Sequence, residues 1–97
     1  MTPEDYSEFI FGKILISMDE QVASGKITEE RAKKIVDLAL KSIKPEMTLD
    51  ELYVAIYRFQ YKVPELKEVA DACTNEYINF GRMQSLKNLE KFISQKN

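Results

Sequence analysis

Apolar residues recur along this chain at intervals of three and four positions without sustained alternation, and that period belongs to the α-helix. The pattern predicts an all-α fold. Thr2 caps a first helix over residues 3–24, with Pro3 at its first position, Glu4 and Asp5 facing the positive end of the helix dipole, and Gly25 ending it. Thr28 caps a second helix over 29–43, which opens with Glu29 and Glu30 and is stopped by Pro45. The run Met47–Leu52 is the strongest local signal: Thr48 and Glu51 make a capping box, and Met47 staples onto Leu52. A third helix over 49–61 follows. Pro64 cannot continue that helix but suits the first position of a fourth over 64–80, and a fifth is predicted over 82–94 after a break or kink near Gly81. Short connections favour antiparallel neighbours, so residues 1–97 read as one domain, a compact antiparallel bundle of four helices plus a C-terminal helix.

Most of these helices offer one apolar stripe, and three features exceed it. The second helix is ordinary, with Ala32, Ile35, Val36, Ala39, Leu40 and Ile43 on one side and lysines opposite. The first has a stripe of Phe11, Ile14, Leu15, Met18 and Val22, while Phe9, Ile16 and Ala23 lie on nearly the other side. Either it is the central helix, or its second face meets another subunit. In the third helix, Leu49, Leu52, Ile56 and Phe59 face the core; Tyr53, Tyr57 and Tyr61 advance outward at steps of four, joined by Val54. An amphipathic aromatic row of that kind suits a core boundary or a protein interface.

The C-terminal third holds the sharpest irregularity. Leu66, Val69, Ala70, Cys73, Tyr77 and Phe80 share one helical face, whereas the centre of Met83, Leu86, Leu89, Phe92 and Ile93 would lie nearly 180° away on an unbroken helix. A bend at Gly81 would return both sets to one core, since glycine weakens a helix interior. The alternative is one long helix whose distal half packs on a different chain.

Composition narrows the chemistry. With 97 residues, 44% of them apolar, the chain can bury one modest core. It has no histidine and one cysteine, which removes a Ser-His-Asp or Cys-His pair, a His/Cys metal cluster, a Glu-x-x-His di-iron site and an internal disulfide. No EF-hand, Walker A or glycine-rich dinucleotide motif is present. Cys73 falls on a core stripe, where a thiol is inert. Glu65, Glu68 and Asp71 step along a polar helix face, where like carboxylates are solvated and do not work as an acid–base pair. No catalytic, cofactor-binding or metal-ligating residue is assigned, and the chain reads as non-enzymatic.

Charge bears on partners. The net charge of −2 sums segments of −4 (1–25), +3 (26–44), −1 (45–63), −3 (64–81) and +3 (82–97), which can neutralise each other in the fold. Arg31, Lys33, Lys34, Lys41 and Lys44 could make a small basic patch, but a pI near 5.2 argues against nucleic acid. Residues 9–18 lack the basic flank and uninterrupted apolar core of a secretory signal, and no run is long enough to span a bilayer, so the expectation is a cytoplasmic protein with no membrane association. The expected function is a protein–protein interaction or oligomerisation module that associates with itself. Its candidate interface is Phe9, Ile16, Tyr53, Val54, Tyr57, Tyr61, Met83, Leu86, Leu89 and Ile93. The alternatives are a monomeric adaptor or regulator that docks a different protein through the tyrosine row, and a nucleic-acid accessory using the lysines of the second helix.

Overall fold

The computed structural model describes the backbone of residues 1–95 and the side chains of residues 1–83. It holds four α-helices, α1 (Pro3–Ala23), α2 (Glu29–Ser42), α3 (Leu49–Lys62) and α4 (Lys67–Gln95), with a single 3₁₀ turn, Pro64–Leu66, between α3 and α4. Among the described residues there is no strand.

The starts follow the caps. Thr2, Thr28 and Thr48 each accept a hydrogen bond from the amide three residues on, and Asp5 and Glu51 return a bond to the Thr2 and Thr48 amides, completing two capping boxes. Gly25 ends the first hairpin limb at φ +78°, in the left-handed region that glycine enters without steric cost. Pro64 opens a 3₁₀ turn instead of an α-helix, so the α-helical fourth element starts three residues later than expected.

The larger correction concerns Gly81. No separate fifth helix forms over 82–94: α4 continues from Lys67 through Gly81 to Gln95, without the expected break. One glycine costs a helix only about 1 kcal/mol, a cost that the continuous backbone bonding of a 29-residue helix absorbs. At 1.5 Å per residue α4 is about 43 Å long.

Helix α1 packs against each of α2, α3 and α4, whereas α2 packs chiefly on α1. Its buried side chains are Tyr6, Ile10, Ile14 and Met18, an uninterrupted i, i+4 row. That also departs from the expected stripe, because Leu15 is 52% exposed and Phe11 and Val22 are only partly covered. Tyr6 heads the buried row instead: it is fully buried, and its hydroxyl donates to the Cys73 carbonyl oxygen at 2.8 Å, which removes the cost of burying a phenol. Ile35 and Ala39 of α2, Leu52, Ile56 and Phe59 of α3, and Val69, Ala70 and Cys73 of α4 complete the core with Ile43, Val63 and Leu66 from the connections.

Two contacts fix the direction of α4. Gln21, near the end of α1, donates to the Glu65 carbonyl oxygen at 2.9 Å, and Tyr6, near the start of α1, reaches Cys73. The two helices therefore run antiparallel, and beyond Tyr77 α4 moves past the N-terminus of α1. The principal extents are 61 × 27 × 19 Å and the radius of gyration is 16.4 Å, against about 12.5 Å for an ordinary domain of this length. Cys73 is the last buried residue of α4 among those described, and Ile78 and Met83 are 44% and 59% exposed.

Candidate functional site

All five tyrosines of the chain form one connected series from the core to the surface. Tyr6 and Tyr77 have ring centres 6.1 Å apart, Tyr77 stacks on Tyr53 at 4.4 Å with planes 7° apart, Tyr53 meets Tyr57 at 6.1 Å, and Tyr57 meets Tyr61 edge-on at 5.8 Å. The i, i+4 spacing on α3 supplies the Tyr53–Tyr57–Tyr61 part, and the antiparallel neighbour α4 inserts Tyr77 beside Tyr53. Burial pushes the Tyr6 hydroxyl up from its ordinary pKa. Tyr77 is raised by donating its hydroxyl hydrogen to Asp50, and Tyr61 by donating to the Tyr57 hydroxyl at 3.3 Å. Tyr6, Tyr61 and Tyr77 thus stay neutral through the physiological range.

The candidate interface residues divide by environment. Tyr53 is half-buried against Tyr77 and belongs to the core boundary, while Tyr57 and Tyr61 are 42% and 71% exposed. Val54 lies exposed on α3 in a shallow depression with Met47, Ala55 and Arg58. Phe9 packs partly against the core, with the Lys13 ammonium 5.5 Å from its ring centre, so it is a covered residue of the fold. Ile16 is 56% exposed and Met83 59%. The side chains of Leu86, Leu89 and Ile93 lie outside the described residues; their helical backbone is part of α4.

One surface was not anticipated. Helices α1 and α2 leave an open groove of about 580 Å³ between them, floored by Leu15, Met18, Val22, Ala32 and Val36 and edged by Asp19, Glu29, Lys33 and Asp37. The sequence assigns these apolar residues to the core, and the spacing is right for that. What it lacks is any sign that no further helix covers them, which depends on α3 and α4 lying on the other side of α1.

At the opposite face, Arg31 grips Glu65 through two bonds, Nε to Oε2 at 2.7 Å and Nη2 to Oε1 at 3.2 Å. This pair joins the start of α2 to the 3₁₀ turn, holding two connections together. The Arg31 guanidinium keeps the Glu65 carboxyl below its ordinary value. Arg31 is therefore committed to a structural pair, which leaves the expected basic patch one cation poorer. Beside it, a cavity of about 460 Å³ carries Glu20 and Glu68 with Lys26 and Lys67, a mixed, self-neutralising polar lining.

Burial pushes the Cys73 thiol up to about 12, far from a reactive thiolate. Among the described residues no group of three or more Cys, Asp and Glu side chains is placed to hold a metal ion. No described helix is long and apolar enough to cross a membrane. No protein-family model matches the chain, and comparison with curated proteins and with solved structures returns no match.

Proposed function

We propose that this protein is a non-enzymatic helical interaction module that associates with itself through the distal half of α4. The observation that carries this reading is the continuity of α4 through Gly81, together with Cys73 and Tyr77 being, among the described residues, the last of α4 that pack in or against the core. On an unbroken helix the apolar face changes sides. Leu66, Val69, Ala70, Cys73 and Tyr77 serve the chain's own core, while Ile78 and positions 86, 89 and 93 fall on the other side at about 100° per residue. Exposed Ile78 begins that second face, and exposed Met83 flanks it. A solvated helix has no use for five further apolar residues between 83 and 93, and a small chain gains stability by covering them with a second subunit.

Light scattering over a concentration series tests the proposal. A dimer or higher species is expected, and Leu89→Asp is expected to convert it to monomer without unfolding it. A strict monomer at high micromolar concentration would refute it.

A second reading, a monomeric adaptor that docks a different protein, is favoured by the exposure of Tyr57 and Tyr61 at the outer end of the tyrosine series. It requires a monomeric mass and a partner whose binding is lost in Tyr57→Lys and Tyr61→Lys.

A further inference from the structure

The α1–α2 groove is an open apolar surface, the sequence of the distal half of α4 supplies apolar positions off the face that carries Val69 and Cys73, and the two segments differ in charge. The groove edge carries Asp19, Glu29 and Asp37 against Lys33, a net of −2. Residues 82–97 carry Arg82, Lys87, Lys91 and Lys96 against Glu90, a net of +3. We propose that the distal half of α4 from one copy of the chain docks in the α1–α2 groove of a second copy, and the reverse, so that two copies close by reciprocal exchange; this rests on the self-association proposed above.

Three observations select this occupant. Antiparallel packing of α4 on α1 carries its distal half past Tyr6 and away from residues 15–23, so a chain's own groove lies behind its own helix. Pairing the two distal halves with each other would set two segments of +3 side by side, whereas groove docking sets +3 against −2. The dimensions also match. Leu40, one turn beyond Val36 and 58% exposed, extends the apolar floor along α2, so that Ala32 to Leu40 covers about 12 Å and positions 83 to 93 about 15 Å at 1.5 Å per residue. A twofold pair uses each feature twice and leaves neither open, which is what a closed isologous arrangement requires.

The test mixes full-length Val36→Cys with full-length Leu89→Cys under mild oxidation and reads intact mass, alongside light scattering of the unmodified chain. Cys73 is buried with its thiol pushed up to about 12, and stays out of the exchange. The expected product is the mixed disulfide between the two variants, formed in preference to either variant with itself. In parallel, Asp37→Lys should weaken self-association by about tenfold, and Lys91→Glu combined with it should restore part of that loss. A dimer in which Leu89→Cys joins chiefly to itself, or in which Asp37→Lys changes nothing, overturns groove docking and leaves self-association standing. A monomeric mass for the unmodified chain overturns both.

Discussion

Residues 67–80 and 81–95 belong to the same helix and differ in which side of it their apolar positions occupy. In the proximal half, Val69, Ala70 and Cys73 are buried against α1 and α3, and Tyr77 stacks on Tyr53. In the distal half, the polar and apolar sides of the sequence exchange places. Secondary structure is indifferent to this exchange, because backbone hydrogen bonds run through Gly81 as they run elsewhere. Tertiary packing is not. On the function proposed above, a locally regular helix divides its apolar positions between two tasks, one inside the chain and one outside it.

Truncating one leucine from the core and one from the distal half breaks the comparison most strongly, with Leu66 sitting in the 3₁₀ turn that leads into the proximal half. Leu66→Ala should destabilise the folded chain by about 2–5 kcal/mol, as removal of a fully buried side chain does, measured by urea denaturation. Leu89→Ala should leave the unfolding midpoint of dilute protein nearly unchanged and act on association alone. Equal losses from both would place both residues in one core.

A smaller effect is expected at the inner end of the tyrosine series. Tyr6→Phe retains the ring but removes the bond to the Cys73 carbonyl oxygen, at a cost of about 1 kcal/mol. No loss in denaturation experiments would mean that this bond does not anchor the proximal half of α4.

Gly81 marks the boundary between the halves, and the two geometries that could exist there respond oppositely to a methyl group. A Cβ added at Gly81 meets nothing within 4 Å, so Gly81→Ala should strengthen the helix by about 0.5–1 kcal/mol and raise far-UV ellipticity. A turn at this position would instead be disrupted, with loss of stability.

The smallest effect lies at the Arg31–Glu65 pair, far from the junction, and sharpens the comparison by leaving the distal half untouched. Glu65 titrates below its ordinary value of 4.5 when folded, so the unfolded chain binds the proton first as pH falls. The stabilisation is therefore complete above about pH 4.5 and disappears as pH drops through the lower folded value. Urea midpoints of Arg31→Met and the unmodified chain should differ near pH 7 and converge near pH 3. A constant difference would assign the effect to packing of the arginine stem.

Much of the fold was legible in particular residues. Thr2, Thr28, Thr48 and Gly25 act locally, through bonds to amides three positions away or through one backbone angle, and such effects are written in adjacent residues. Long-range consequences were not. That Tyr6 is wholly buried depends on a carbonyl 67 residues later, and that Leu15 is open depends on α2 standing alone on its side of α1. The change of apolar face after Phe80 was visible in the sequence. Its resolution at Gly81 was not, because a bend and a straight helix differ there by about 1 kcal/mol of local preference, while the choice is made by the whole length of α4. Of the surface residues, Ile16, Val54, Tyr57, Tyr61 and Met83 are exposed as an interface needs, and Phe9 and Tyr53 are claimed by the fold.

The most direct test of the division of α4 is the solution mass of the full chain beside that of a chain ending at Phe80, which keeps every buried residue from Tyr6 to Cys73. Sedimentation equilibrium should give a dimer or larger species for the full chain and a folded, cooperative monomer for the shortened one. A monomeric full chain, or a shortened chain that fails to fold, would contradict the account, since either would assign the distal half of α4 to its own core.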